Sequence, residues 1–291
     1  MFYETAKPAE TGRNSSRWAY LPGLCCQAAG GDPLWADEVA AAWLLFYKAA
    51  HLMDHVEDQD APDSWWEALG PGAAINAASG LFFTASLVLN DLHRRSETQN
   101  AAVEVTRAFH MHFLGMCSGQ HADLANPRPI LEQYWETAAA KSGAFFSLAC
   151  FAGARLACAE PARLQEYSRF GQYVGVLIQV LDDLEDIQFV QNFRTTNKTL
   201  DPQRSLPVVY AMQVLPPAQC GRLQVCLQAG LREPEAAREA LDWLERSGAG
   251  LYLLAEIARH RSLAQAALEK AHPQPAASAE LQALLNSLIP E

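Results

Sequence analysis

Two acid-rich segments stand in apolar, helix-forming surroundings. One is Asp54-His55-Val56-Glu57-Asp58, the other Asp182-Asp183-Leu184-Glu185-Asp186. On a helix, Asp54 and Asp58 (i, i+4) share a face, and so do Gln179, Asp182, Asp183 and Asp186 (i, i+3, i+4, i+7). Carboxylates crowded on a buried face repel one another and are costly to desolvate. A fold keeps two such groups when cations neutralise them. All-oxygen donors point to a hard ion, Mg²⁺ ahead of Ca²⁺ or Mn²⁺. Mg²⁺ held by few carboxylates completes its shell with substrate phosphate. The expectation is two acidic helix walls around a metal-bound diphosphate, with Asp54, Asp58, Asp182, Asp183 and Asp186 as metal ligands. The competing reading, acids on a solvated helix face, suits the first segment better than the second. The run YVGVLIQVL before the second is apolar all round, and such a helix is buried.

The elements that must position these acids read as helices throughout. Residues 1–16 are polar and expected to be flexible; residues 17–291 form the helical domain. A first helix from near Trp18 ends at Gly30-Gly31, and Asp32-Pro33 opens a long helix that carries the first acid group. Further helices are expected over 72–92, 98–124 and 130–158, the last as one helix or a pair. Pro161 starts the helix with the second acid group, which ends near Phe193. The polar loop RTTNKTLDPQR follows, then shorter helices punctuated by Pro207, Pro216 and Pro217, two more over 233–270, and a short amphipathic piece in the tail. No segment combines sustained alternation with β-branched enrichment, so no sheet is expected. The fold class is all-α, a large single-domain bundle with its site in a central cavity.

Composition narrows the partners. The 291-residue chain is half hydrophobic and carries a net charge of −11. No basic stripe is present to release counterions from phosphate, so nucleic acid is excluded as a partner. Seven cysteines, an odd number with no CxxC, read as reduced thiols in a cytoplasmic protein. No signal peptide core is present, and no uncharged apolar stretch long enough to span a membrane is expected.

Six features in chain order resemble the trans-isoprenyl diphosphate synthases, or polyprenyl synthetases, of the class I isoprenoid synthase fold. They span roughly residues 17–215. Gly175-x3-Gln179-x2-Asp182-Asp183-x2-Asp186 matches that family's second aspartate-rich motif in full. Gly30-Gly31-Asp32 precedes the first motif. Gly119-Gln120 with Asp123-Leu124 is similar to its GQxxDL, and Lys141-Ser142-Gly143-Ala144-Phe145 to its Lys-Thr segment, with Gly153-Ala154 following. Lys198, Asp201, Arg204 and Leu206-Pro207 resemble the loop after the second motif. The resemblance implies a homodimer that ionises an allylic prenyl diphosphate and condenses it with isopentenyl diphosphate. It implies three Mg²⁺ ions. It makes Lys141, Lys198 and Arg204 diphosphate ligands, places Gln179 near the reacting carbons and Gln120 at the site, and leaves Arg17 for the second substrate. One helical turn and more before Asp54, Ala49 and Ala50 leave the cavity open and Phe46 is its floor, which suits a chain of about C15–C20 or longer.

The sequence departs from the family at the first motif, where His55 stands for an aspartate and no arginine follows. Near the N-terminus only Arg13 and Arg17 remain of the usual cations. The allylic half of the site is therefore complete in sequence and the isopentenyl half depleted. This keeps two alternatives open: a class I terpene synthase acting on one diphosphate, and a non-catalytic partner subunit of another synthase.

Overall fold

The computed structural model describes residues 18–57, 70–191, 204–230 and 233–288, and the side chains of 185–191 are outside it. Every regular element among the described residues is helical. Helix α1 (Leu21–Ala29) starts on Pro22 and ends at Gly30, whose φ of 107° supplies the left-handed cap that the Gly-Gly pair suggested. A 3₁₀ turn (Pro33–Ala36), capped by the Asp32 side chain on Leu34 N–H, then feeds α2 (Asp37–Glu57). Next come α3 (Pro71–Leu89), α4 (Gln99–Ala125), α5 (Leu131–Ala138), α6 (Ala144–Ala157) and the 31-residue α7 (Pro161–Gln191). The chain closes with α8 (Leu206–Val214), α9 (Pro217–Gly230), α10 (Pro234–Arg246), α11 (Ala249–Lys270) and α12 (Pro275–Ser287).

The segment expected as one helix or a pair is a pair joined without a break. Between α5 and α6 the backbone widens into one π turn, Ala139–Gly143. Such turns are rare and cluster at functional sites, because one extra residue per turn re-aims the side chains that follow. This turn carries Lys141 and Ser142.

One buried cluster runs from Trp18 to Leu285 and joins α1, α2, α4, α6, α7 and α12. Trp43 of α2 is its largest side chain. It stacks on Phe145 at 4.4 Å and donates its indole N–H to the Phe145 carbonyl at 3.0 Å. That bond ties the first acid helix to the helix after the π turn. A smaller cluster (Val208, Ala211, Leu223, Cys226, Leu227, Ala240, Leu244) holds α8, α9 and α10 together.

Two glycines set how closely the site helices approach. A Cβ on Gly119 of α4 would lie 2.7 Å from Ala140 Cβ, and one on Gly175 of α7 would collide with the Ser142 carbonyl. Both contacts are with the π turn. A side chain at either position would push Lys141 away from the helices it reaches.

One expectation is corrected. Residues 71–94 are long and apolar enough, by length and composition, to cross a membrane. The stretch PGAAINAASGLFFTASLVLN is uncharged. Its small residues explain the pattern: Ala74, Ala78, Ala85 and Leu89 bury against the bundle, while Ile75, Phe83 and Leu87 face outward.

Candidate active site

The first acid helix, α2, brings Asp54 to its last turn. The π turn sets Lys141 beside it. Lys141 Nζ lies 3.6 Å from Asp54 Oδ1 and 3.0 Å from Asp123 Oδ2 of α4. Arg204, just before α8, lies 3.9 Å from the other Asp123 oxygen. Four charged side chains from four elements therefore meet in one cluster, each a fifth to a quarter exposed. Asp123 is its hub. Its place in the GQxxDL segment was legible, but no spacing rule singles out one acid near the end of a long helix.

The next residue of the π turn connects to the second acid helix. Ser142 Oγ donates to Gln179 Oε1 at 2.9 Å, and Gln179 Nε2 donates to Asp183 Oδ1 at 3.2 Å. Lys141 and Ser142 thus join α2 and α7, so the two acid segments adjoin the same turn. The sequence reading that Gln179 shares a face with the acids is matched by this contact.

Asp183 is enclosed, as a carboxylate on a buried helix is expected to be. It is buried, 5% exposed. Besides Gln179, its Oδ2 accepts the Tyr134 hydroxyl at 2.7 Å and the Leu206 backbone N–H at 2.6 Å. Hydrogen bonds to a charged group contribute about 1.5–3 kcal/mol each, enough together to offset much of the cost of burying one carboxylate. Protein donors therefore reach both Asp183 oxygens. Asp182, its neighbour, is only half-buried.

Tyr134 has no sequence signal, because it reaches Asp183 across 49 positions. Burial first, and the Asp183 charge next, push its phenol well above the usual range, so it stays a donor.

Gln120 is half-buried, and neither its amide nitrogen nor its amide oxygen has a hydrogen-bond partner among the described residues. An orphaned buried amide costs about 1–3 kcal/mol per group, which a polar ligand would recover. It sits one turn before Asp123 on the same face.

His55 stacks edge-on against His51 at 4.3 Å, and His51 lies over Tyr47, so the three rings form a column along one side of α2. Below Asp54, Ala50 is half-buried and Phe46 is buried. Phe46 meets Phe113 at 4.8 Å, Phe82 at 5.5 Å and Phe109 at 6.3 Å. Ala49, expected to help leave the level open, is instead fully buried against Leu52 and Ala78 of α3.

Arg17, Asp58, Lys198 and Asp201 lie outside the described residues. The helix is described past Asp186, but its side chain is not. Among the described residues no three His, Cys, Asp or Glu side chains come together as a ligand cage. Asp54 and Asp182, both only partly buried, offer carboxylate oxygen, the donor type that a hard divalent ion takes.

The chain and its helical fold have known relatives. The polyprenyl synthetase family matches residues 23–244, and the chain belongs to that family. It is 32% identical over 195 residues to a geranylgeranyl diphosphate synthase of Mycobacterium tuberculosis, covering 64% of this chain and 55% of that protein. It is 27% identical over 259 residues to a short chain isoprenyl diphosphate synthase of Methanothermobacter thermautotrophicus, covering 84% and 77%. The structure superposes on that of a geranylgeranyl pyrophosphate synthetase from Pyrococcus horikoshii with a TM-score of 0.80, at 20% identity and over 94% of this chain and 86% of that one. The chain spans 55% and 63% of the length of the first curated relatives it matches. Enzymes of this family use divalent metal.

The charged cluster makes a direct prediction. Asp123→Asn removes the charge that both Lys141 and Arg204 face and keeps the shape. Catalysis that rests on this cluster should fall ~100-fold, about 2.7 kcal/mol of transition-state stabilisation, with far-ultraviolet circular dichroism unchanged. A loss of less than twofold would remove Asp123 from the site.

Proposed function

We propose that the protein is a Mg²⁺-dependent prenyltransferase that ionises an allylic diphosphate and condenses it with isopentenyl diphosphate into a longer trans-prenyl diphosphate. The observation that carries this is Lys141 held between Asp54 and Asp123, with Arg204 on the far oxygen of Asp123. Cations interleaved with acids are what a metal-bound diphosphate requires, since its charge must be matched both directly and through ions. Two relatives, a geranylgeranyl diphosphate synthase and a short chain isoprenyl diphosphate synthase, support the reading.

Asp54 and Asp182, with Asp58 and Asp186, would hold the ions, three in number by family resemblance. Mg²⁺ when bound supplies Lewis-acid stabilisation of the departing diphosphate. Lys141, Arg204 and Lys198 bind its remaining oxygens and orient it. The Gln120 amide, unpartnered within the described residues, is available to the same group. Gln179, fixed by Ser142 and Asp183, presents its remaining N–H beside the reacting carbons. Apolar walls exclude water from the carbocation. Asp183 leaves the ligand set in this reading, because its oxygens already accept protein hydrogen bonds. Arg17 stays the candidate for the second diphosphate, and residues 17–291 form one catalytic unit in the cytoplasm.

The test is incubation with Mg²⁺ and geranyl, farnesyl or geranylgeranyl diphosphate, with and without isopentenyl diphosphate. The expected product is a longer diphosphate that forms only when isopentenyl diphosphate is present. Asp182→Asn should lower the rate ~100-fold or more. A hydrocarbon or alcohol formed without isopentenyl diphosphate would instead make the protein a terpene synthase.

Phe46 with Phe82 and Phe113 forms the proposed floor, eight residues or about 12 Å along α2 from Asp54. Phe46→Ala should lengthen the product and Ala50→Phe should shorten it, read by mass spectrometry. Unchanged length in both places the floor elsewhere.

The outward face of α3 and α4 is the proposed homodimer surface. Ile75, Phe83 and Leu87 on α3 and Val103, Met111 and Leu114 on α4 are exposed, and Ser86 meets His110 at 3.4 Å between the helices. An apolar face of this size marks an interaction surface, and symmetric self-association is the commonest way to cover one. Light scattering should give twice the chain mass for the parent and the single-chain mass for Phe83→Asp with Leu87→Asp. A monomeric parent, or a dimer that survives both changes, would contradict it.

A further inference from the structure

We infer that Tyr134 is a positioning residue: through Asp183 it fixes both Gln179 and the start of α8, and so where Arg204 is delivered. The inference rests on the site reading above.

Asp183 is held from three directions by three elements. Tyr134 of α5 and the Leu206 N–H of α8 both donate to Oδ2, and Gln179 of its own helix donates to Oδ1. Leu206 is the first residue of α8, and its N–H is one of the helix donors with no partner inside the helix. A carboxylate there satisfies that donor and complements the helix dipole. Arg204 lies two residues upstream. Wherever Asp183 pins Leu206, the chain must bring Arg204 to the same neighbourhood, and it does so 3.9 Å from Asp123.

The other arm sets the polarity of Gln179. An amide has two donors and one acceptor oxygen. Ser142 donates to that oxygen, and one N–H goes to Asp183. Flipping the amide would set two acceptors face to face at Asp183, whereas the Ser142 hydroxyl can accept as well as donate, so it is the Asp183 arm that fixes the polarity. The Gln179 group left for substrate is therefore an N–H, decided by a chain that begins at Tyr134.

Tyr134 is the part that can be removed without touching substrate. Its ring packs edge-on against Trp135 at 5.1 Å, and a phenylalanine keeps that contact. The test compares Tyr134→Phe, Asp183→Asn and the double variant. In the Mg²⁺-dependent condensation assay, Tyr134→Phe should lower kcat ~10-fold while KM for either diphosphate changes less than ~3-fold. The double variant should be no slower than Asp183→Asn alone, since the two residues act as one unit. The same cycle is read by thermal unfolding in EDTA, where no ion contributes; there too the losses should be less than additive. Ser142→Ala tests the far end and should lower kcat with KM held.

Normal kcat in both Tyr134→Phe and Ser142→Ala, or additive losses in both cycles, would overturn the inference. The site reading fails separately. If Asp182→Asn keeps full activity, that reading is wrong, and the EDTA cycle still decides whether Tyr134 and Asp183 are coupled. If Asp182→Asn is inactive while Tyr134→Phe and Ser142→Ala match the parent, only the positioning role is lost.

Discussion

The structure depends on one constraint: carboxylates placed inside an apolar bundle must be satisfied before the helices can close. The bundle satisfies them in two ways. Asp54 and Asp123 share Lys141, with Arg204 beyond, in a cluster that remains partly exposed. Asp183 is buried and takes neutral donors from Tyr134, Leu206 and Gln179. The difference has a functional consequence. Partly exposed charges can exchange a protein cation for a metal ion and a phosphate. A carboxyl group enclosed by protein donors serves better to hold the site's parts in place.

The π turn makes both arrangements possible at once. Lys141 faces α2 and α4, while Ser142, its neighbour, faces α7. Gly119 and Gly175 let the helices on either side approach the turn to distances that a methyl group would forbid. Trp43 anchors α2 to α6 from the opposite end. The place of the turn that carries Lys141 and Ser142 is thus set by backbone proximity, which is stiff.

Much of this was legible in the sequence. Helical periodicity, proline starts and the Gly30 cap gave the order and type of the elements, because these signals are local. The acid spacing gave the faces of α2 and α7, and Gln179 does contact Asp183. What escaped was non-local. The donors around Asp183 escaped because spacing reveals a shared face but not what lies opposite it, and they sit 23 and 49 positions away. Asp123 has no second acid three or four residues away on its helix, and the extra residue in the turn at Lys141 leaves no mark in composition. Ala49 and Ala50 looked equivalent by type, yet only Ala49 is sealed against α3. The uncharged run at 71–90 does not stand out in sequence as one long apolar stretch because its alanines, glycines and serines dilute it.

The central claim is that diphosphate and divalent ions share one site built on Asp54, Asp123, Asp182 and Lys141. The most direct measurement is Mn²⁺ binding to the purified protein by electron paramagnetic resonance, with and without inorganic pyrophosphate. If the ligands share a site, each tightens the other by the same factor, expected to be ~10-fold or more. Pyrophosphate should then lower the free Mn²⁺ signal in the parent protein and leave it unchanged in Asp182→Asn, once the Mn²⁺ bound by free pyrophosphate is subtracted. Mn²⁺ affinity that pyrophosphate does not alter in the parent would contradict the account.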